Sequence, residues 1–208
     1  MRLALFASGG GSNAEAILRA IKSGTLPAEA AVVISNKATA GALKRAERHG
    51  VPTVVLDPRC YKGMDGQYAS RLAQVLGEHG ADFIALAGYL RKIPSSIVEQ
   101  YRNRIVNVHP SLLPAFGGGG FYGRRVHEAV IEHGVRWTGV TIHIVDEAYD
   151  TGPIVLQEPV PVMQGDAPED LAARVLAVEH RLYPHALALF AKGRVHIEGR
   201  RVRIDLRG

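Results

Sequence analysis

Asn107 and His109 lie two residues apart in Ile105-Val106-Asn107-Val108-His109-Pro110-Ser111-Leu112-Leu113-Pro114, where an apolar run meets prolines. Side chains of a strand alternate faces, so an extended 105–109 turns both polar groups one way and Val106 and Val108 the other. An amide N–H can stabilise an oxyanion and an imidazole can move a proton, which together are parts of an acyl-transfer site. Pro110 restricts His109 and withholds a ladder donor. It therefore ends the strand and leaves the pair at a strand's carboxyl end, where open α/β sheets bind ligands.

Asp150 belongs to Asp146-Glu147-Ala148-Tyr149-Asp150-Thr151-Gly152-Pro153, a turn-rich loop directly after a strand. A carboxylate there can sit beside an imidazole from a neighbouring strand end. Asn107 and a protonated His109 would then hold a tetrahedral oxyanion, while Asp150 keeps the imidazole charged and relays a proton. A Ser-His-Asp triad is the rival, but Ser111 has no G-x-S-x-G elbow around it. A strand end whose Asn and His are merely satisfied polar groups is the third alternative.

A second feature is Ser8-Gly9-Gly10-Gly11-Ser12-Asn13, followed by the helical pattern of residues 14–21. Gly9-x-Gly11-x-x-Ala14 formally fits the dinucleotide fingerprint. The end of the second strand, however, reads Ile34-Ser35-Asn36-Lys37 and holds no carboxylate for a ribose, and no GKS or GKT supplies a P-loop. What remains is a glycine turn whose N–H groups, the Ser12 hydroxyl and the positive end of a helix suit a phosphate monoester, with a merely tight βα turn as the alternative. His127, His133 and His143 show no metal-ligand spacing, and no metal is expected.

These groups need elements to position them. Strands are read over 2–7, 30–35, 53–56 and 83–86, with helices over 14–21, 40–49, 65–77 and 94–101 between them. The strand carrying Asn107 follows. Residues 115–123 hold five glycines and three aromatics and read as a mobile loop. A helix over 124–133, strands over 138–145 and 154–162, a long helix capped by Asp166 or a neighbour and interrupted at Pro184, and a hairpin around Gly199 complete the chain. Strands alternating with helices imply an α/β fold, a mostly parallel twisted sheet with helices on both faces.

The 208 residues suffice for one ample core, burying roughly 70% of the unfolded surface, and a single domain over 1–208 is expected. Hydrophobic residues make up 47% of the chain, which excludes general disorder. No apolar run approaches the roughly 18 residues of a membrane span and the amino terminus lacks a secretory pattern, so a cytoplasmic location is expected. The one cysteine, Cys60, excludes an internal disulfide and a cysteine zinc site. A net charge of +5 draws partly on Arg194, Arg200, Arg201, Arg203 and Arg207, and reads as a solvated basic face. Aromatic residues do not interleave with it, so no nucleic-acid partner is expected.

Five ordered motifs carry a resemblance: Ser8 to Asn13, Ser35-Asn36-Lys37, Leu86-Ala87-Gly88-Tyr89-Leu90-Arg91, Asn107 to Pro114 and Asp146 to Pro153. In this order and spacing the chain resembles the phosphoribosylglycinamide formyltransferases, folate-dependent enzymes of purine synthesis. The resemblance implies the formyltransferase fold, a Rossmann-like sheet. It implies direct formyl transfer from 10-formyltetrahydrofolate, as cosubstrate, to the amine of glycinamide ribonucleotide, with Asn107, His109 and Asp150 catalytic. It further implies that Gly11, Ser12 and Asn13 hold the substrate's phosphate through backbone N–H groups and that Glu179 binds the ribose hydroxyls. Tyr89, Leu90, Arg91, Ile93, Asn107, Asp146, Glu147 and Asp150 would meet the folate. No metal or nucleotide cofactor and no membrane is implied, and the chain would act as a monomer or homodimer.

Two departures stand out. Phe116 to Gly123 is longer than the corresponding loop of many relatives, and the 62–67 region lacks the arginine that some use for the folate's glutamyl tail, leaving Lys62 or Arg59 to serve. Formyltetrahydrofolate deformylase and methionyl-tRNA formyltransferase use similar groups but normally carry an extra domain, for which this chain is expected to have no room. A non-catalytic phosphate sensor would need the glycine loop but not Asp150.

Overall fold

The computed structural model describes residues 1–205, and Arg207 of the basic carboxyl-terminal segment lies outside the described residues. Seven strands form one mostly parallel sheet in the order β3-β2-β1-β4-β5-β6-β7, and β8-β9 is a separate antiparallel pair. The chain divides into two compact units, Met1–Val106 and the part from Asn107 onward.

In the first unit, β1 (Arg2–Phe6) pairs in parallel with β2 (Glu29–Ser35) on one side and β4 (Phe83–Leu86) on the other, and β3 (Thr53–Val55) pairs with β2. Leu3, Ala4, Leu5 and Phe6 are all buried, so β1 shows no alternation, as a strand covered on both faces should not. The helices are α1 (Ser12–Lys22), α2 (Gly41–Arg48), α3 (Asp65–Glu78) and α4 (Ser95–Gln100). On α1, Ala14, Ile17 and Leu18 recur at three and four residues and form its buried stripe. Leu3, Leu5, Phe6, Ile17, Ile34 and Ile84 are fully buried, and each such side chain contributes roughly 1.5–3 kcal/mol.

The last strand to leave that unit, β5 (Ile105–His109), carries Asn107 and His109 into the second. There, α5 (Arg124–Glu132) precedes β6 (Trp137–Ile144), which pairs antiparallel with β7 (Ile154–Pro161). Pro159 and Pro161 fit β7 because it is the last strand of the sheet, where a missing N–H breaks no ladder. The helix α6 (Pro168–Ala191) and the hairpin β8 (Val195–Glu198) and β9 (Arg201–Ile204) follow.

One expectation is corrected here. The long helix is not interrupted at Pro184: α6 runs through it, because burial of Tyr183, Pro184, Ala186 and Leu187 outweighs one lost backbone bond. Of the positions expected for the cap, Asp166 or a neighbour, Asp166 has another task. Its carboxylate receives Nη1 and Nη2 of the Arg174 guanidinium, at 2.7 and 2.8 Å, and the Met163 N–H, which hold its pKa down at about 2. The cap residue is the neighbour, Ala167, whose N–H donates to Asp170. Among the described residues no helix is long and apolar enough to cross a membrane.

Candidate active site

In the second unit, β5 presents Asn107 and His109 on one face, with His109 buried and Asn107 partly open. Asp150 reaches them from the loop between β6 and β7. Its backbone is left-handed, φ 57°, a conformation that Asp tolerates better than most residues. Gly152 lets the loop close, because a Cβ there would lie 1.9 Å from the Ile144 carbonyl oxygen. Asp150 Oδ2 stands 3.5 Å from His109 Nδ1 and Oδ1 stands 3.5 Å from His143 Nε2. The Gly118 N–H donates to Oδ2 at 2.9 Å.

Hydrogen-bond partners assign the protons. The Phe116 carbonyl can only accept, so the 2.8 Å contact to His109 Nε2 places a hydrogen there and leaves Nδ1, facing Asp150, as the titrating nitrogen. The Ile144 carbonyl takes the hydrogen of His143 Nδ1 at 2.9 Å in the same way. His143 Nε2 therefore accepts from the Asn107 amide nitrogen at 3.1 Å. That bond uses one of the two amide hydrogens and leaves the other for a ligand oxygen.

Burial pushes the His109 pKa below its ordinary 6.5, against the opposing pull of the Asp150 charge and the Phe116 carbonyl. A standing imidazolium is thus not the resting state; at neutral pH His109 is neutral and able to accept a proton at Nδ1. For Asp150 burial acts to raise the pKa, but His143 and His109 in their charged forms, together with the Gly118 N–H, outweigh it and hold the carboxyl below its ordinary value. An ionised carboxylate facing a neutral base is competent for proton transfer.

His143 escaped the sequence reading, which tested it only as a metal ligand. The signal was present: Thr141 and His143 repeat on β6 the alternate-residue spacing of Asn107 and His109, and both are buried. The Phe116 carbonyl had no such signal, since nothing in residue type marks a backbone acceptor. Ser111 is excluded as nucleophile, because it is fully buried and its hydroxyl donates to the Ala115 carbonyl at 2.5 Å. The 115–123 segment read as a mobile loop is fastened at Phe116 and Gly118 to the His and Asp themselves. Among the described residues, no group of three or more His, Cys, Asp or Glu is placed to hold a metal.

In the first unit the glycine loop precedes α1 directly. Gly11 has φ 74°, and a Cβ there would lie 2.5 Å from that of Ala42, so only glycine fits. Among the described residues the N–H groups of Gly10, Gly11 and Ser12 have no acceptor, as a first helical turn requires. The Ser8 hydroxyl donates to Asn36 Oδ1 at 2.6 Å and accepts the Leu90 N–H at 2.8 Å. Asn36 in the Ser-Asn-Lys motif is therefore a loop brace, buried at the end of β2.

The other expected site residues are placed as follows. The Tyr89 ring is buried against Phe6, with centroids 5.2 Å apart, and its hydroxyl meets that of Tyr68 at 3.1 Å, so only its main chain is left for a ligand. Leu90 and Arg91 are exposed and Ile93 is buried. Asp146 accepts the Thr151 hydroxyl at 2.7 Å and closes its own loop, while Glu147 is exposed. Glu179 is buried on α6.

Comparison with known proteins bears on this arrangement. The formyl transferase family model matches residues 1–187. Phosphoribosylglycinamide formyltransferase of Bacillus subtilis is 36% identical over 89% of this chain and 92% of its own length. The chloroplastic phosphoribosylglycinamide formyltransferase of Arabidopsis thaliana is 43% identical over 93% of this chain, which spans 66% of that relative, just under two thirds. The crystal structure of glycinamide ribonucleotide transformylase 1 from Symbiobacterium toebii superposes with a TM-score of 0.92 at 46% identity, covering 98% of this chain and 93% of that one. With nearly its whole length matched in both sequence and fold, the chain belongs to the formyl transferase family.

Proposed function

We propose that this chain transfers the formyl group of 10-formyltetrahydrofolate to the amine of glycinamide ribonucleotide, giving formylglycinamide ribonucleotide and tetrahydrofolate, a step of purine synthesis. The observation that carries this reading is the His109–Asp150 pair, with Asn107 linked to the same carboxylate through His143 and the Ser111 hydroxyl committed to a backbone carbonyl. Such a set favours direct transfer over a formyl-enzyme.

The substrate amine attacks the formyl carbon, and the carbonyl electrons move to oxygen, where the second amide hydrogen of Asn107 stabilises them. His109 Nδ1 takes the proton of the attacking amine, and the imidazolium so formed is held by Asp150. Cleavage of the bond from the formyl carbon to N10 returns the electron pair to that nitrogen, which takes up the proton. Written this way, the chemistry draws on no metal and no nucleotide cofactor.

Gly11, Ser12 and Asn13 would hold the substrate's phosphate and Glu179 its ribose hydroxyls, one carboxylate accepting from two vicinal OH groups. The main chain of Tyr89, with Leu90, Arg91, Ile93, Asn107 and the 146–150 loop, would meet the folate. A cytoplasmic location goes with this reading, and the exposed thiol of Cys60 suits a reducing compartment.

The test is to incubate the protein with 10-formyltetrahydrofolate, with and without glycinamide ribonucleotide, and follow tetrahydrofolate release. Release that requires the amine supports the transferase. Release without it indicates a deformylase, and none in either tube leaves a binding protein.

A further inference from the structure

Three carbonyls of the glycine loop are turned in a controlled way. The Ala42 N–H donates to Gly9 O at 3.2 Å, Arg45 Nε donates to Gly10 O at 2.8 Å, and the Glu15 N–H takes Gly11 O at 2.9 Å as the first bond of α1. Ala42 donates as a free first-turn N–H of α2 and Arg45 through its side chain, so that one helix supplies two of the three donors. In a planar trans peptide the C=O and the following N–H point in opposite directions. Pinning Gly9 O and Gly10 O toward α2 therefore turns the N–H groups of Gly10 and Gly11 away from it.

Arg45 has a carboxylate neighbour of its own. Its Nη1 lies 3.6 Å from Glu15 Oε2, while Glu15 Oε1 receives Arg19 Nε at 2.8 Å and lies 3.3 Å from His49 Nε2. Burial alone would raise the pKa of Glu15, but Arg19 and His49 hold it at about 2, so it is ionised across the working range. The carboxylate attracts the guanidinium without accepting a hydrogen bond from it, and the guanidinium holds the peptide through Nε. Gly41 is part of the same fit, since a Cβ there would stand 3.1 Å from Gly10 O.

We propose that Arg45, in ion-pair range of Glu15, is a positioning residue that sets the Gly10–Gly11 peptide so that the Gly11 N–H is presented to the substrate's phosphate; this rests on the phosphate role given above to the loop. Arg45 acts through a directed bond from Nε, so lysine cannot replace it even though it keeps the charge.

The experiment compares the parent with Arg45→Lys and Arg45→Ala, using glycinamide ribonucleotide and its dephosphorylated riboside as alternative acceptors. Both variants should raise KM for the ribonucleotide about tenfold, with kcat within about twofold, and leave kcat/KM for the riboside unchanged. Equal losses on both acceptors would assign Arg45 a merely structural role, and an unchanged ribonucleotide KM would remove any role. Recovery in Arg45→Lys would replace the directed bond by simple charge and overturn the proposal. Calorimetric binding of inorganic phosphate to the same proteins is independent of turnover. It should weaken in both variants even if the parent proves not to transfer formyl, and equal phosphate affinity in all three would defeat the proposal.

Discussion

His143 Nε2 accepts a hydrogen from the Asn107 amide at 3.1 Å and so decides which way that amide faces. The orientation matters because a flipped amide would offer an oxygen, not a donor, to the developing oxyanion. Losing one oxyanion donor typically costs on the order of 3 kcal/mol of barrier. Asn107→Ala should therefore lower kcat by about two to three orders of magnitude while the thermal midpoint moves little. His143→Phe keeps the donor but frees its rotation, and a smaller fall in kcat, about tenfold, is expected with KM for either substrate unchanged. Activity of Asn107→Ala within fivefold of the parent would remove Asn107 from the mechanism.

The acid limb of kcat/KM should lie below pH 6.5, since His109 must be neutral to accept the proton and burial lowers its pKa. Asp150 opposes that lowering, so Asp150→Asn should move the His109 titration still lower, as followed by the imidazole resonances in an NMR titration. A shift to higher pH would contradict the assignment. For stability the signs agree. The unfolded chain binds a proton at His109 more readily than the folded one, so stability falls as pH drops below 6.5 toward the lowered folded value. Asp150, also lowered in the fold, adds a loss that begins near the ordinary 3.8 and continues down to its folded value.

Gly152→Ala should be among the most damaging single-methyl changes in the second unit. Its Cβ would meet a backbone oxygen, which cannot swing aside as a side chain would. A loss of at least about 2 kcal/mol in denaturant unfolding is expected, together with reduced kcat, because Asp150 is two residues away. A fully stable and active variant would show that the loop can shift without consequence.

Arg59 donates to Asp57 through Nε and Nη2, the latter at 2.7 Å, whereas Lys62 is exposed and has no ion pair among the described residues. Lys62 is thus the better placed of the two to meet the glutamyl tail of the folate. Lys62→Ala should raise KM for a polyglutamylated cosubstrate about two- to threefold, the scale of an exposed ion pair, and Arg59→Ala should not. The reverse order would reassign the tail contact.

The parts of the fold that could be read in the sequence are those governed by local rules. The both-faces-buried run of β1, the proline that stops β5 and the glycine turn before α1 each have a short-range cause. Asn107, His109 and Asp150 were legible as types in suitable places, and their meeting is a matter of three-dimensional distance that spacing alone cannot supply. Pro184 misled because its local cost was visible while the burial that overrides it was not. The proton inventory was hidden for a similar reason. It depends on carbonyls of Phe116 and Ile144, which carry no mark in residue type.

One hydroxyl links the two stretches of the first unit that the proposed reading gives to the substrates. Ser8 Oγ gives its hydrogen to Asn36 and takes the Leu90 N–H, so the root of the glycine loop and the start of the Leu90–Arg91 stretch hang from the same atom. Their order is consequently shared: fixing one stretch lowers the entropy still to be lost by the other. Binding free energies linked in this way are reciprocal, so on the proposed assignment of these stretches either substrate would tighten the other by the same factor in either sequence of addition.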